Sequence, residues 1–172
     1  RPLNTGLNLL LLALGVGTIA LLLLFNDQLQ KRLDRDAQGI DMVVGAKGSP
    51  MQLILSSVFH VDIPTGNVTI GDARGLLSNP MVGAVIPLAL GDSFRGYRIV
   101  GSEAAYPQHY AAELADGDWW HEPLEATIGA TVAAQGGLTI GDSFAGAHGM
   151  TSGGAAHGDT PYRVVGIMAR TG

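Results

Sequence analysis

The chain opens on an apolar run that no charge interrupts. Residues 7–25 contain only Asn8 and Thr18 as polar side chains. About 20 such residues in a helix cross the ~30 Å hydrocarbon core of a bilayer. Leucine dominates the run and favours insertion by a few tenths of a kcal/mol per position. A secretory signal would have a shorter apolar core and a small-residue cleavage site. Here Asn26-Asp27-Gln28 follows instead, and QLQKRLDRDAQ continues with Leu29 and Leu33 one helical turn apart. The pattern predicts a transmembrane helix over residues 1–28, a helical extension over 29–38, and a stop at Gly39. Ala13 and Gly17 form a small-xxx-small pair on that helix, a spacing that admits close approach of another helix.

Beyond residue 39 the periodicity shortens. Residues 40–44 read as a strand. Residues 51–59, after Ser49-Pro50, are apolar at most positions and fit a buried helix or a strand equally. Pro64-Thr65-Gly66-Asn67 reads as a turn, and residues 72–78 as a short helix ended by Asn79-Pro80. Strands are predicted over 82–90, 94–100, 125–129 and 162–168, and helices over 106–114 and 130–134. Helices and strands mix without strict alternation, which argues an α+β domain over residues 39–172.

Composition narrows the function. Among 172 residues, 15% are charged and the net charge is −5, so the basic footprint of a nucleic-acid binder is missing. There is no cysteine, which excludes disulfides and thiolate metal sites. The first residue is Arg rather than Met, as expected of a piece of a longer protein.

The tetrapeptide GDSF occurs twice, in LGDSFRGYRIVG and in IGDSFAGAHGMTSGGAAHGDTPYRVVG. Gly-Asp-Ser before a hydrophobe is how one class of serine esterases presents its nucleophile. Asp118-Trp-Trp-His121 supplies the Asp-x-x-His spacing for the remaining members, so Ser93, Asp118 and His121 stand in triad order. The context is wrong for that chemistry. Only 25 residues separate Ser93 from Asp118, no block supplies an oxyanion hole, and the motif recurs at Ser143 before the same Tyr-Arg-x-Val-Gly strand. Asp, Ser and Gly are turn residues, so each GDSF is expected to be a hairpin corner. The chain is expected not to be an enzyme.

Of the five histidines, His60 ends an apolar run and is expected to be a half-buried, hydrogen-bonded core residue, while His109 is expected on the solvent face of its helix. Trp119 and Trp120, before His121, are expected to pack a core edge. His148 and His157 lie with Asp159 in a Gly-, Ala-, Ser- and Thr-rich stretch of 17 residues, 145–161, where two residues suffice in the first copy. Extra loop costs little, because closure entropy grows only logarithmically. The plain reading is a tolerated loop. The functional reading is that His148, His157 and Asp159 capture a divalent metal, Zn²⁺ above all, since neutral imidazoles and a carboxylate suit zinc. A further ligand would come from elsewhere, His121 and His109 being candidates by type.

Four segments carry a family resemblance: RPLNTGLNLLLLALGVGTIALLLL, GIDMVVGAKGSPMQLILSSVFHVDIPTGNV, YPQHYAAELADGDWW, and EATIGATVAAQGGLTIGDSF with YRVVGIM. Together they resemble the MacB/FtsX-type ABC transporter permeases over nearly the whole chain. The resemblance implies an N-terminal transmembrane helix followed by a MacB-like periplasmic core of α+β class. It implies an ABC ATPase partner that binds the ATP, since no G-x-x-x-x-G-K-[ST] loop exists here. It also implies a homodimer of permeases, a bilayer around the first helix, a possible periplasmic partner protein, and residues 29–172 in the periplasm of a bacterial inner-membrane protein. The 145–161 stretch departs from the family pattern. So does the positive-charge count: Lys31, Arg32 and Arg35 follow the span while Arg1 precedes it, which by itself places the C-terminal side in the cytoplasm.

Overall fold

The computed structural model describes residues 1–149 and 159–170. The chain divides into two units, Arg1–Asp41 and Met42–Gly172.

The first unit is one helix, α1 (Pro2–Asp36), with Pro2 in its first turn where a missing N–H costs nothing. It is long and apolar enough to cross a membrane, and its Leu side chains between Leu7 and Leu24 are all exposed within the unit. Thr18, the polar residue mid-span, donates its hydroxyl to the carbonyl of Leu14 at 2.8 Å, so it brings no unsatisfied donor into an apolar setting. Past the apolar stretch Lys31 pairs with Asp27 at 2.7 Å, one turn back. The chain leaves the helix through Gly39, whose φ of 73° suits glycine.

The second unit is a mixed α+β domain. Residues 40–45 are irregular rather than a strand, because no strand among the described residues pairs with them to form a ladder. α2 (Pro50–Ser57) resolves the ambiguity at 51–59 in favour of a helix. The Ser49 hydroxyl accepts from the Gln52 amide as its N-cap, and Pro50 starts its first turn. α3 (Ile70–Gly75) is capped in the same way by Thr69, whose hydroxyl accepts from the Asp72 amide at 3.1 Å, and it runs into a 3₁₀ turn at Leu76–Ser78.

β1 (Leu88–Phe94) and β2 (Tyr97–Ser102) form an antiparallel hairpin. Phe94 faces Tyr97 in register, so Arg95 and Gly96 make the turn alone. Both have positive φ, 49° and 85°, as a type I′ turn requires. The first GDSF is therefore not the corner of the hairpin. It is the end of β1, with a bulge between Leu90 and Ser93. α4 (Ala105–His109) is shorter than the predicted 106–114 helix. Ala111 takes a φ of 49°, and Leu114 already begins β3 (Leu114–Gly117), the strand that the Leu-Ala-Asp-Gly sequence forms.

β4 (Glu125–Ile128), α5 (Ala130–Gly136), β5 (Ser143–Phe144), β6 (Ala147–His148) and β7 (Tyr162–Met168) complete the order. β7 is the centre of the second sheet. It pairs antiparallel with β3 and β5 and parallel with β4, whereas β6 crosses to the first sheet and pairs with β1. Residues 143–148 thus stitch the two sheets together. Gly117 has a φ of 75°, and a Cβ there would collide with the carbonyl of Val165. A Cβ on Gly166, its register partner in β7, would collide with the carbonyl of Asp118. The β3–β7 crossing needs both glycines. The core is small: Ile128, Phe144 and Val164 are buried, with Phe94, Ile99 and Val132 packed against them.

Candidate functional site

The expected metal-binding stretch begins on β6. His148 lies opposite Asp92 in the β1–β6 ladder, and its Nδ1 is 2.9 Å from Asp92 Oδ1. Around this pair the backbone is closed twice. The Ser93 hydroxyl donates to the Gly149 carbonyl, and the Gly149 amide donates to the Gly91 carbonyl at 3.0 Å. All three residues of the first Gly-Asp-Ser, Gly91 through its carbonyl and Asp92 and Ser93 through their side chains, are therefore engaged in holding the start of the second loop. His157 lies outside the described residues. Asp159 is exposed at a turn just before β7. Among the described residues, no group of three or more His, Asp or Glu side chains is placed to hold a metal ion.

Asp92 also bears on the second sheet. Burial, and after it the negative charge of Asp92, push the Tyr162 hydroxyl above its ordinary value of 10.0. Asp92 was not a sequence-level candidate. The register that puts it opposite His148 depends on a pairing 56 residues away, which no local pattern announces.

The formal triad is not assembled. Ser93 is 3% exposed and its hydroxyl is committed to Gly149. Asp118 accepts through Oδ1 from the Trp119 amide at 3.2 Å. His121 donates its backbone amide to Glu125 Oε2 at 2.9 Å. Ser143, the second candidate nucleophile, is exposed in β5, and its neighbour Asp142 does the turn work. Asp142 Oδ2 accepts from the Thr139 amide at 2.8 Å and the Thr139 hydroxyl at 2.9 Å. Those two donors hold the Asp142 carboxyl below its ordinary value.

Glu125 is the other organising carboxylate. It accepts from the amides of His121 and Glu122, and its second oxygen takes Arg163 Nη2 at 2.6 Å. The two amides first, and then Arg163, hold it below its ordinary value of 4.5. It thereby shapes the 118–124 loop. In that loop Trp120 is half-buried and donates Nε1–H to the Ser102 carbonyl at 3.1 Å.

His60 is half-buried as expected, with Nδ1 3.1 Å from the Ser56 carbonyl and Nε2 2.5 Å from the Tyr106 hydroxyl. His109 is also half-buried, its ring meeting Tyr110 at 4.8 Å, rather than facing solvent. A shallow hollow of about 130 Å³ lies between α3 and the first sheet, lined by Leu77, Val85 and Pro87 with the Arg74–Glu103 pair at 3.3 Å. It is smaller than the ~300–1,000 Å³ typical of ligand pockets.

The chain is thus an apolar helix of membrane-spanning length followed by a small mixed α+β domain. Residues 5–172 match the sequence model of the MacB-like periplasmic core domain, and the chain belongs to that family. No curated protein and no solved structure matches the chain.

Proposed function

We propose that this chain is part of a permease subunit of an ABC transporter. In this reading α1 is its first transmembrane helix, and the Met42–Gly172 unit is its domain on the periplasmic side of a bacterial inner membrane. The observation that carries the reading is the family match over residues 5–172, which takes in both the apolar helix and the α+β domain. In this reading hydrolysis falls to an ABC ATPase, as the family resemblance implies, and the permease is read as pairing with a second copy. α1 continues from residue 25 to Asp36 without a break in its hydrogen-bond ladder, so it can carry an axial displacement out of the bilayer. Carbonate extraction of membranes containing the chain tests the anchor. The chain stays in the pellet in this account, and release into the supernatant contradicts it.

A second reading, an anchored zinc-binding module without a transport role, has one observation in its favour. The carboxylate of Asp92 on His148 Nδ1 is the arrangement that fixes a metal-ligating histidine with Nε2 directed to the ion. His148, His157 and Asp159 would be the ligands and Asp92 the orienting carboxylate.

A further inference from the structure

We propose that one face of α1 is the seam on which two copies of this chain pair side by side and in parallel. The inference rests on the reading of α1 as a transmembrane helix and assigns the surface by which its second copy binds.

α1 runs unbroken from Pro2 to Asp36, so positions can be followed round it at about 3.6 residues per turn. Asn4, Asn8, Gly15 and Thr18 fall on one stripe about 80° wide, together with Leu11 and Leu22. Asn26, Leu29 and Leu33 continue the stripe past the apolar run. The stripe differs from the rest of the helix in both media, and in opposite senses. Within residues 7–25 it holds both polar side chains, Asn8 and Thr18, while the other faces are wholly Leu, Val, Ile, Phe, Ala and Gly. Past the run it carries the two leucines, while every other residue from Asp27 to Arg35 is charged or Gln. A face turned to lipid is apolar in the bilayer, and a face turned to water is polar outside it; this face reverses both. Another helix satisfies both halves. It meets the Asn and Thr side chains with hydrogen bonds inside the bilayer. Outside, it covers Leu29 and Leu33, which are 45% and 42% exposed in the single chain.

The chemistry of the stripe selects a second α1 as that helix. Across a two-fold axis each residue at the seam meets its own counterpart. Asn carries both donors and an acceptor, so Asn4, Asn8 and Asn26 are each complementary to themselves. Past the bilayer Arg32 flanks the stripe on one side and Asp34 on the other. In a parallel pair the two unlike flanks meet, so basic faces acidic; in an antiparallel pair like flanks meet. Copies of one chain also insert in one orientation, which makes the pair parallel. The Ala13–Gly17 pair lies on the opposite face. That face carries Asp27 and Lys31 past the span, bonded to each other at 2.7 Å, and there it belongs to water.

The test is cross-linking of the full 172-residue chain in membranes, where the absence of native cysteine lets single-cysteine variants report alone. Leu29→Cys and Leu33→Cys are compared with Gln28→Cys and Lys31→Cys under copper–phenanthroline oxidation. Disulfide closure needs the two Cβ atoms about 4 Å apart, so the two stripe positions link at least about tenfold faster than the two others. Sedimentation in detergent micelles then compares Asn8→Leu, Gly15→Leu and Gly17→Leu. A Cβ on either glycine meets nothing within 4 Å in the single chain, so only a partner helix can tell them apart. Asn8→Leu and Gly15→Leu each weaken the dimer by about three- to thirtyfold, and Gly17→Leu leaves it unchanged. Equal linking at all four positions overturns the proposal, as does a monomer, or a Gly17→Leu effect as large as that of Gly15→Leu. Any of these in a chain that stays in the carbonate pellet leaves the spanning helix standing; release from the membrane removes the spanning reading and the seam together.

Discussion

The rings of Phe94 and Phe144 lie 4.8 Å apart, tilted by 51°. Each is the last residue of a GDSF tetrapeptide, one in each sheet, and Tyr162 of β7 stacks on Phe144 at 5.4 Å. The repetition thus has a structural result. Two strands ending in the same sequence bring their aromatic residues together in the core, and Asp92 and Ser93 of the first copy hold the loop that follows the second. The two copies are alike in sequence and unlike in role.

That inequality is measurable. Ser93 is buried and bonded to Gly149, so Ser93→Ala leaves a carbonyl without its donor and should cost about 1–3 kcal/mol. Ser143 is exposed, and Ser143→Ala should stay within about 0.5 kcal/mol. Denaturant titration of the two variants side by side decides it; equal costs would mean the copies are equivalent.

The β3–β7 crossing makes a sharper demand. Gly117→Ala meets the Val165 carbonyl at a φ of 75°, and Gly166→Ala meets the Asp118 carbonyl. Each should destabilise by about 1–3 kcal/mol or more, since backbone atoms must move to admit the methyl group. Gly137→Ala, with a φ of 65° but no neighbour within 4 Å, carries the dihedral cost without the collision and should be the mildest of the three. Melting temperatures give the order.

Glu125 and Asp142 predict the acid side of the stability profile. Both carboxyls are held below their ordinary values of 4.5 and 3.8 by hydrogen-bond donors the fold supplies. The unfolded chain therefore binds protons first as pH falls. The stability these groups contribute is complete above about pH 5 and is lost as pH drops through their folded values. Glu125→Gln and Asp142→Asn should each flatten that loss in an acid-unfolding series. A variant whose profile parallels the parent's would show that its carboxylate contributes nothing.

For the metal reading, calorimetric titration of the full chain with Zn²⁺ near neutral pH is the measurement. Binding tighter than about 10 µM that is lost in His148→Ala/His157→Ala and weakened in Asp92→Asn supports the site. Weaker binding, or binding indifferent to those changes, leaves only the loop.

What the sequence revealed depended on how local the cause was. α1 and β7 were readable because an uncharged leucine run and a Tyr-Arg-Val-Val strand need no partner to be recognised. In isolation Asp and Ser favour turns, which points to a hairpin corner at the first GDSF. Ser93 and Asp92 instead answer to Gly149 and His148, 56 residues downstream. The sequence predicts a helix as far as Leu114, where β3 begins. Only the pairing with β7 makes Leu114–Gly117 a strand, and Gly117 serves that contact. Residues 40–44 have strand composition, and no strand among the described residues pairs with them. Of the proposed metal ligands, His148 acquired a carboxylate neighbour that spacing could not foretell, Asp159 stands at a turn, and His157 lies outside the described residues.

The central claim is that α1 crosses a bilayer and delivers the Met42–Gly172 unit to its outer side, against the count of Lys31, Arg32 and Arg35. A periplasm-dependent reporter fused after Gly172 tests it most directly. The account predicts an active reporter in intact bacteria, with the domain open to externally added protease once the outer membrane is permeabilised. An inactive reporter, with the domain protected until the inner membrane is broken, would put residues 42–172 in the cytoplasm and contradict the permease assignment.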